Sequence, residues 1–393
     1  MKPMQGMRVI DVSHVIAGPT CGLYLAHYGA QVTKVELPGR GDVLRAGMRE
    51  RVDEGVTVGF ATVNAGKRSA EVDLKDPAGV AALLAAAREA DVFIENFRPG
   101  VVERLGLGYD AVRAVNPRIV YASISGYGQE GEWAPRGAYD HVVQALTGMM
   151  SLQGEEGDPP IKVGFPVIDA AAGMAAAQAV LAALLRRERS GEGAYLDVSM
   201  VQAGVHLMLT PAVAAAVEGR DRPRVGNRGF TGSPGGSTWR CADGWIATAA
   251  NTPAQFATLC RTLGVEALLA DESLVDVAAM ARGAGFVVAR DDAALRARLA
   301  EAFATCSAAA LERELAAARV PAARVRSLAE FMREWSAGEM ATAPVTRVDY
   351  PGGAVPDLGT GAKWDRRPPQ PPARAPRLGE HTGDLTGPAA SRD

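Results

Sequence analysis

Apolar and polar positions alternate along this chain in a rhythm of short buried runs and longer helical stretches. Arg8-Val9-Ile10-Asp11-Val12 predicts a buried strand, followed by a loop over 13–18. A helix is predicted over Pro19–Tyr28, with proline in its first turn and Gly29 just past its end. Gln31–Glu36 predicts the next strand. The pattern then repeats as strand Ala70–Leu74, helix Pro77–Ala90, strand Val92–Glu95, a short helix about Tyr109–Val115 and strand Arg118–Ile124. A long helix over Ala170–Arg189 and a strand over Ala194–Met200 complete the series. Strands alternating with helices imply an α/β fold with a mostly parallel sheet covered on both faces. Such sheets bind ligands beyond the carboxyl ends of their strands, so the loops 13–18, 37–42, 96–100 and 125–139 form the candidate site.

The chain changes character after an apolar helix predicted over Val201–Val217. Residues 218–237 are rich in Arg, Gly and Pro and read as a linker plus a loop. A smaller α+β unit follows, with strands at Thr238–Cys241 and Trp245–Ala249 and helices near 253–263, 292–304 and 307–318. The tail over 366–377 is Pro-rich and reads as extended. No internal repeat is present.

The 393 residues suit two or three domains. With 48% apolar and 22% charged residues the chain reads as globular rather than disordered. Its net charge of −3 argues against a general nucleic-acid binder. The longest apolar run, Ala170–Leu185, is interrupted by Gln178 and falls short of the ~18–20 residues of a membrane span, so it reads as a buried helix. Met1–Gly6 leads straight into a strand without a signal-peptide core. Cys21, Cys241, Cys260 and Cys306 are widely spaced, with no CxxC pair and no His at ligand spacing. Reduced thiols, no metal site and a cytoplasmic location are expected.

Glu36 at the end of the second strand invites a dinucleotide-binding reading. That reading needs G-x-G-x-x-G at the first strand–helix turn. The chain has Ala17-Gly18-Pro19-Thr20-Cys21-Gly22 there, with a single glycine before the helix. A nicotinamide cofactor is disfavoured.

A set of segments carries a more specific signal. They are His14-Val15-Ile16-Ala17-Gly18-Pro19, Asn64-Ala65-Gly66-Lys67-Arg68-Ser69, Val72-Asp73-Leu74-Lys75 and Glu95-Asn96-Phe97-Arg98-Pro99-Gly100. Arg104-Leu105-Gly106, Ser123-Ile124-Ser125-Gly126-Tyr127-Gly128 and Arg377-Leu378-Gly379-Glu380-His381-Thr382 continue the set in order. In these segments the chain resembles the class III CoA-transferase family, also called CaiB/BaiF or formyl-CoA transferase-like, over nearly its whole length. The resemblance implies a large Rossmann-like CoA-binding domain over 1–217, a linker and glycine loop over 218–237, a small domain over 238–335 and a return segment over 336–393. It also implies an interlocked homodimer.

The activity it implies is reversible transfer of CoA between an acyl-CoA and a free carboxylic acid. CoA is then substrate and carrier, with no tightly bound cofactor. The family's catalytic aspartate falls on Asp169. By motif position, Val15, Ile16, Ala17, Lys75, Asn96, Phe97, Arg98 and Arg104 are assigned to CoA, and Arg136, Gly137, Ala138 and Tyr139 to the pantetheine and thioester region. Gly235 and Gly236 are assigned to the substrate and oxyanion loop. Succinyl-CoA with a small dicarboxylate is the expected pair, Arg136 or Arg228 supplying the cation. Ile16 and Ser233-Pro234 depart from the oxalate–formate branch, and Leu37-Pro38 stands where relatives often carry arginine, leaving Arg40 as a substitute. Two other readings stand beside this one: a 2-methylacyl-CoA racemase-like enzyme and a catalytically silent CoA-binding subunit. The racemase branch has Gly-His-Asp where this chain has Ala138-Tyr139-Asp140. His141 is displaced by two positions, about 200° around a helix.

Read locally, Asp169 follows Pro166-Val167-Ile168 at the start of the Ala-rich helix. Unpaired N–H groups and the positive dipole end there are expected to lower its pKa and favour an ionised nucleophile. The same position also suits a plain helix N-cap.

Overall fold

The computed structural model describes residues 2–47, 50–282, 285–338, 346–367 and 370–386. Six strands form the main sheet: β1 (Arg8–Asp11), β2 (Gln31–Glu36), β3 (Arg68–Glu71), β4 (Val92–Glu95), β5 (Val120–Ser125) and β6 (Ala194–Ser199). Every neighbouring pair is parallel, and their order across the sheet is β3-β2-β1-β4-β5-β6. This is the doubly wound Rossmann order, which reverses direction between β1 and β4 and opens a crevice there. Strands β4 and β5 are buried throughout, which is why they read as continuous apolar runs.

Strand β3 starts earlier than the hydrophobic pattern predicts because it is a polar edge strand. The C-terminal segment covers that edge. Ser69 donates its N–H to His381 Nδ1 at 3.3 Å, Glu71 donates to Thr382 Oγ1 at 3.0 Å, and His381 N–H reaches Ser69 O at 2.8 Å. The Arg377–Thr382 motif therefore satisfies a sheet edge that would otherwise be open.

The helix Val167–Ser190 packs against the helix Ala17–His27. Its 24 residues are long and apolar enough to cross a membrane, and Ile168, Ala172, Ala176 and Val180 are buried in the protein. The crossing is close because Gly173 has no side chain. A Cβ there would stand 2.6 Å from both Ala17 O and Thr20 Cβ. The apolar stretch predicted as one helix over 201–217 is two, Met200–Leu207 and Leu209–Glu218, bent by 88°. Pro211 falls in the first turn of the second, where its missing N–H costs no hydrogen bond.

The chain divides into two compact units. The first comprises Met1–Ser151, Lys162–Arg222 and Gly338–Asp393, and the second Leu152–Ile161 and Pro223–Ala337. Residues 152–161, inside the large domain by sequence, join the second unit because Gly226 N–H donates to Gly154 O at 3.1 Å and Arg224 Nη1 to Pro159 O at 3.2 Å. The stretch read as a linker is tied down too, with Thr238 N–H on Asn227 O at 3.1 Å. The second unit has an antiparallel sheet of Gly236–Cys241, Gly244–Ala249 and Ala322–Arg324. In its core Trp239 stacks on Phe303 at 4.8 Å and 8°. In the tail over 366–377 no helix occurs among the described residues; 368 and 369 lie outside them. Cys21, Cys241 and Cys260 are buried and Cys306 is half-buried, all as free thiols.

Candidate active site

The crevice is built on buried charge. At the end of β1, Asp11 pairs with Lys67 Nζ at 2.9 Å, both fully enclosed. Gly22 makes room for the pair: a Cβ there would lie 2.8 Å from Asp11 Oδ2. Burial pushes the Asp11 carboxyl up, yet Lys67 and Lys34 more than offset this and hold it below its ordinary value. Asp11 Oδ1 accepts the Ser13 N–H at 3.0 Å and the Ser13 hydroxyl. The next residue is held from the other side of the crevice. Asn96, just past β4, accepts the His14 N–H at 2.9 Å and donates to His14 O at 2.8 Å. Val15 then takes φ +67°, a left-handed conformation that costs a branched residue about 1–3 kcal/mol.

Asp169 is the third residue of the helix Val167–Ser190, whose N-cap is Pro166. The N–H groups of Ile168 and Asp169 donate to Asp140 Oδ2 at 2.7 and 3.0 Å. Asp140 opens the helix Asp140–Leu146 and also accepts Gln144 Nε2 at 2.5 Å. The expectation of a lowered pKa for Asp169 is therefore reversed. Burial, then the charge of Asp140, pushes it up to about 6. The donors on which the dipole argument rested are taken by a second carboxylate. Asp169 is not an N-cap either, since its carboxylate accepts no hydrogen bond among the described residues.

A cavity of about 270 Å³ surrounds it. Val15, Ile16 and Ala17 line it from the first loop, Asn96, Phe97 and Arg98 from the loop after β4, and Arg136, Ala138 and Tyr139 from beyond β5. Arg98 and Arg136 are exposed and form no ion pair among the described residues; Arg136 lies over the Trp133 ring at 3.9 Å. A second cavity, about 420 Å³, shares His14, Phe97 and Val101 with the first. Its walls are mainly apolar, including Leu37, Val43, Val72 and Leu74, with Lys75 at its border. Glu36 cannot hold a ribose there: its carboxylate binds Arg45 at 2.6 Å, Ser69 Oγ at 2.7 Å and the Asp42 N–H at 2.9 Å.

Compared with known proteins, residues 4–382 match the model of CoA-transferase family III. The chain belongs to CoA-transferase family III. It is 34% identical to a succinyl-CoA:mesaconate CoA-transferase of Haloarcula hispanica over 98% of this chain and 96% of that protein. It is 38% identical to a succinate–glutarate CoA-transferase of Agrobacterium fabrum, over 69% of this chain and 68% of the other. An acyl-CoA transferase of Fusarium pseudograminearum is 38% identical over 69% of this chain, which spans only 61% of that longer protein. The match to a mouse succinyl-CoA:glutarate CoA-transferase spans 62% of its length. Among solved structures, a CaiB/BaiF family protein from Brucella suis superposes with a TM-score of 0.84 at 30% identity, covering 97% of this chain and 98% of that one.

Within this family III fold, other assigned residues line neither cavity. Gly137 clears the space taken by Arg98, whose Nη2 would lie 2.9 Å from a Cβ. Arg104 is exposed, folds back over Gly100 and lines neither cavity. Gly235 and Gly236 belong to the second unit. A Cβ on Gly235 would meet Ala250 O at 2.5 Å, and the Gly236 N–H is already donated to Ser233 O at 3.0 Å. Packing within that unit accounts for both glycines. Arg228 pairs with Asp292 at 3.4 Å, also in the second unit, and His141 is exposed and does not line the Asp169 cavity. Asp140 and Glu95 escaped the sequence reading as working residues. Glu95 is buried, accepts the Phe97 N–H at 2.8 Å, and burial pushes its pKa to about 7. Neither carries a local signal for these roles, because Asp140 meets Ile168 and Asp169 and Glu95 also accepts the Ser123 hydroxyl of β5, contacts set by the fold.

Proposed function

We propose that this family III protein transfers CoA reversibly between an acyl-CoA and a free carboxylic acid, with Asp169 as the nucleophile. The observation that carries the reading is a half-buried carboxylate in one cavity with Arg98 and Arg136, where among the described residues the carboxylate accepts no hydrogen bond and neither arginine forms an ion pair. An oxygen of Asp169 attacks the thioester carbonyl; the C–S bond breaks, giving a mixed anhydride and CoA thiolate. The thiolate attacks the aspartyl carbonyl and expels the donor acid, leaving an aspartyl-CoA thioester. The acceptor carboxylate attacks that thioester, releasing the thiolate again. The thiolate then attacks the acyl carbonyl of the new anhydride, which restores Asp169 and completes the product. Ionisation of Asp169 precedes the first step, so transfer is expected to slow as pH falls through about 6.

In this reading the apolar cavity takes the adenine, with Lys75 near its phosphates, and the chain through pantetheine runs past Phe97 to Asp169. Arg98 and Arg136 meet anionic groups of the substrates. The acceptor is a small dicarboxylate and the donor succinyl-CoA, supported by the activities for which the Haloarcula and Agrobacterium relatives are named. Arg136, stiffened on Trp133, takes the carboxylate that does not react. The protein works in the cytoplasm as an interlocked homodimer, with CoA as carrier. Gly235 and Gly236 are assigned no step.

The test is mass spectrometry of the protein after incubation with succinyl-CoA. A hydroxylamine-sensitive CoA or succinyl adduct on the Asp169 peptide, absent from Asp169→Ala, is expected. No adduct with any acyl-CoA, together with α-proton exchange in deuterated water, would favour a racemase instead. Neither signal would leave a silent CoA-binding subunit.

A further inference from the structure

Val15 is a branched residue held at φ +67°, and its neighbours must hold it there. Its N–H donates to Asp42 Oδ2 at 3.1 Å. The same oxygen pairs with Lys34 Nζ at 2.9 Å, and Lys34 in turn donates to Ser13 O at 2.8 Å. Asp42 and Lys34 are both buried, so two enclosed charged side chains hold residues 13 and 15. Asp42 is itself fixed: its N–H rests on Glu36 Oε2 at 2.9 Å and its Oδ1 accepts the Leu44 N–H at 2.9 Å. Every partner of the carboxylate is a donor. Val15 lines the cavity of Asp169, whereas Asp42 lines only the second cavity, so a double-mutant cycle separates an effect through Val15 from a direct one.

We infer that Asp42 is a positioning residue that holds Val15 in its left-handed conformation and so shapes the substrate cavity beside Asp169. Its effect on CoA rests on the CoA-transfer reading; its effect on the loop rests on these contacts alone. An amide cannot replace the carboxylate, because either orientation of asparagine turns an NH₂ toward a donor. Glycine at position 15, by contrast, adopts positive φ without strain and needs no clamp.

The experiment is a double-mutant cycle with Asp42→Asn and Val15→Gly, reading CoA affinity by calorimetry and amide exchange over residues 13–17. Asp42→Asn is expected to weaken CoA binding and speed Val15 amide exchange, each by about tenfold, the loss expected from one hydrogen bond to a buried charge. In the Val15→Gly background the same substitution is expected to weaken binding less than about threefold, since the clamp has nothing left to hold. Equal losses in both backgrounds, or no change in exchange, would overturn the inference. If Asp42→Asn does not fold, Asp42→Glu serves, keeping the charge but displacing the oxygen, with the same loss and the same relief by Val15→Gly expected. If the unmodified protein binds no CoA, the CoA-transfer reading falls, and amide exchange still decides the clamp.

Discussion

Asp140 accepts the backbone N–H of Asp169 at 3.0 Å, so one carboxylate caps the helix that carries the other. The two side chains belong to different helices, and the cap comes from outside the turn it satisfies. Capping by a charged group fixes the first turn firmly. It also places a negative charge beside Asp169, which adds to burial in raising the Asp169 pKa to about 6.

Asp140→Asn keeps an oxygen for the two N–H groups but removes the charge. With Asp169 as the proposed nucleophile, the rate of transfer in the unmodified protein is expected to fall as pH drops through about 6, the value to which burial and Asp140 push its carboxyl. In the variant Asp169 ionises more readily, so the acidic limb of kcat/KM moves to lower pH. Burial is the larger cause and remains, so the limb does not return to the ordinary carboxylate value. A limb that stays in place would mean that Asp140 acts on Asp169 through structure alone.

Arg136→Ala is expected to discriminate between acceptors. Losing one charged hydrogen bond to a substrate carboxylate costs about 1.5–3 kcal/mol, or roughly 10–100-fold in kcat/KM. The loss is expected for glutarate and not for butyrate, measured with the same donor. An equal loss for both acids would place Arg136 on CoA instead.

His27 Nε2 meets Asp357 Oδ1 at 2.9 Å and ties the helix Ala17–His27 to the hairpin strand Gly353–Asp357. Burial pulls the imidazole pKa down, but the bond to Asp357 outweighs it and the net direction is upward. A histidine with a raised folded pKa contributes its full stability below the unfolded value of 6.5 and loses it as pH rises through the folded value. The gap in unfolding free energy between the protein and His27→Gln is expected to be widest below that pH and to narrow above it. Denaturant titrations across neutral pH measure this, and a gap that widens with pH would reverse the assignment.

Gly173→Val puts a branched side chain where Ala17 O and Thr20 leave no room. Overpacking of this kind costs about 1–3 kcal/mol and forces the two helices apart. A lower midpoint in urea is expected, together with a lower kcat, since Asp169 lies one turn away on the same helix. An unchanged midpoint would contradict the close crossing.

Much of the sheet was legible because a parallel strand covered on both faces is an unbroken apolar run, as in Val92–Glu95. The helix Val58–Asn64 and the strand pair Arg51–Asp53 and Val56–Thr57 were not. They are short, and their apolar residues Val52, Val56 and Phe60 pack against Val348, Tyr350 and Val355, some 290 residues further along. The loops of the site were legible from motifs, and Val15, Asn96, Arg98, Arg136 and Asp169 do meet around one cavity.

By itself, the sequence determined the alternation of strand and helix, the end of the sheet where the two cavities lie and the family motifs. These are local matters of periodicity and side-chain type. Only the tertiary structure decided that Asp169 is raised rather than lowered in pKa, that Glu36 is committed to Arg45 and that Asn96 holds His14. The reason is electrostatic and geometric. A carboxylate's proton affinity depends on what lies within a few ångströms and how much water is excluded, and those neighbours come from distant parts of the chain.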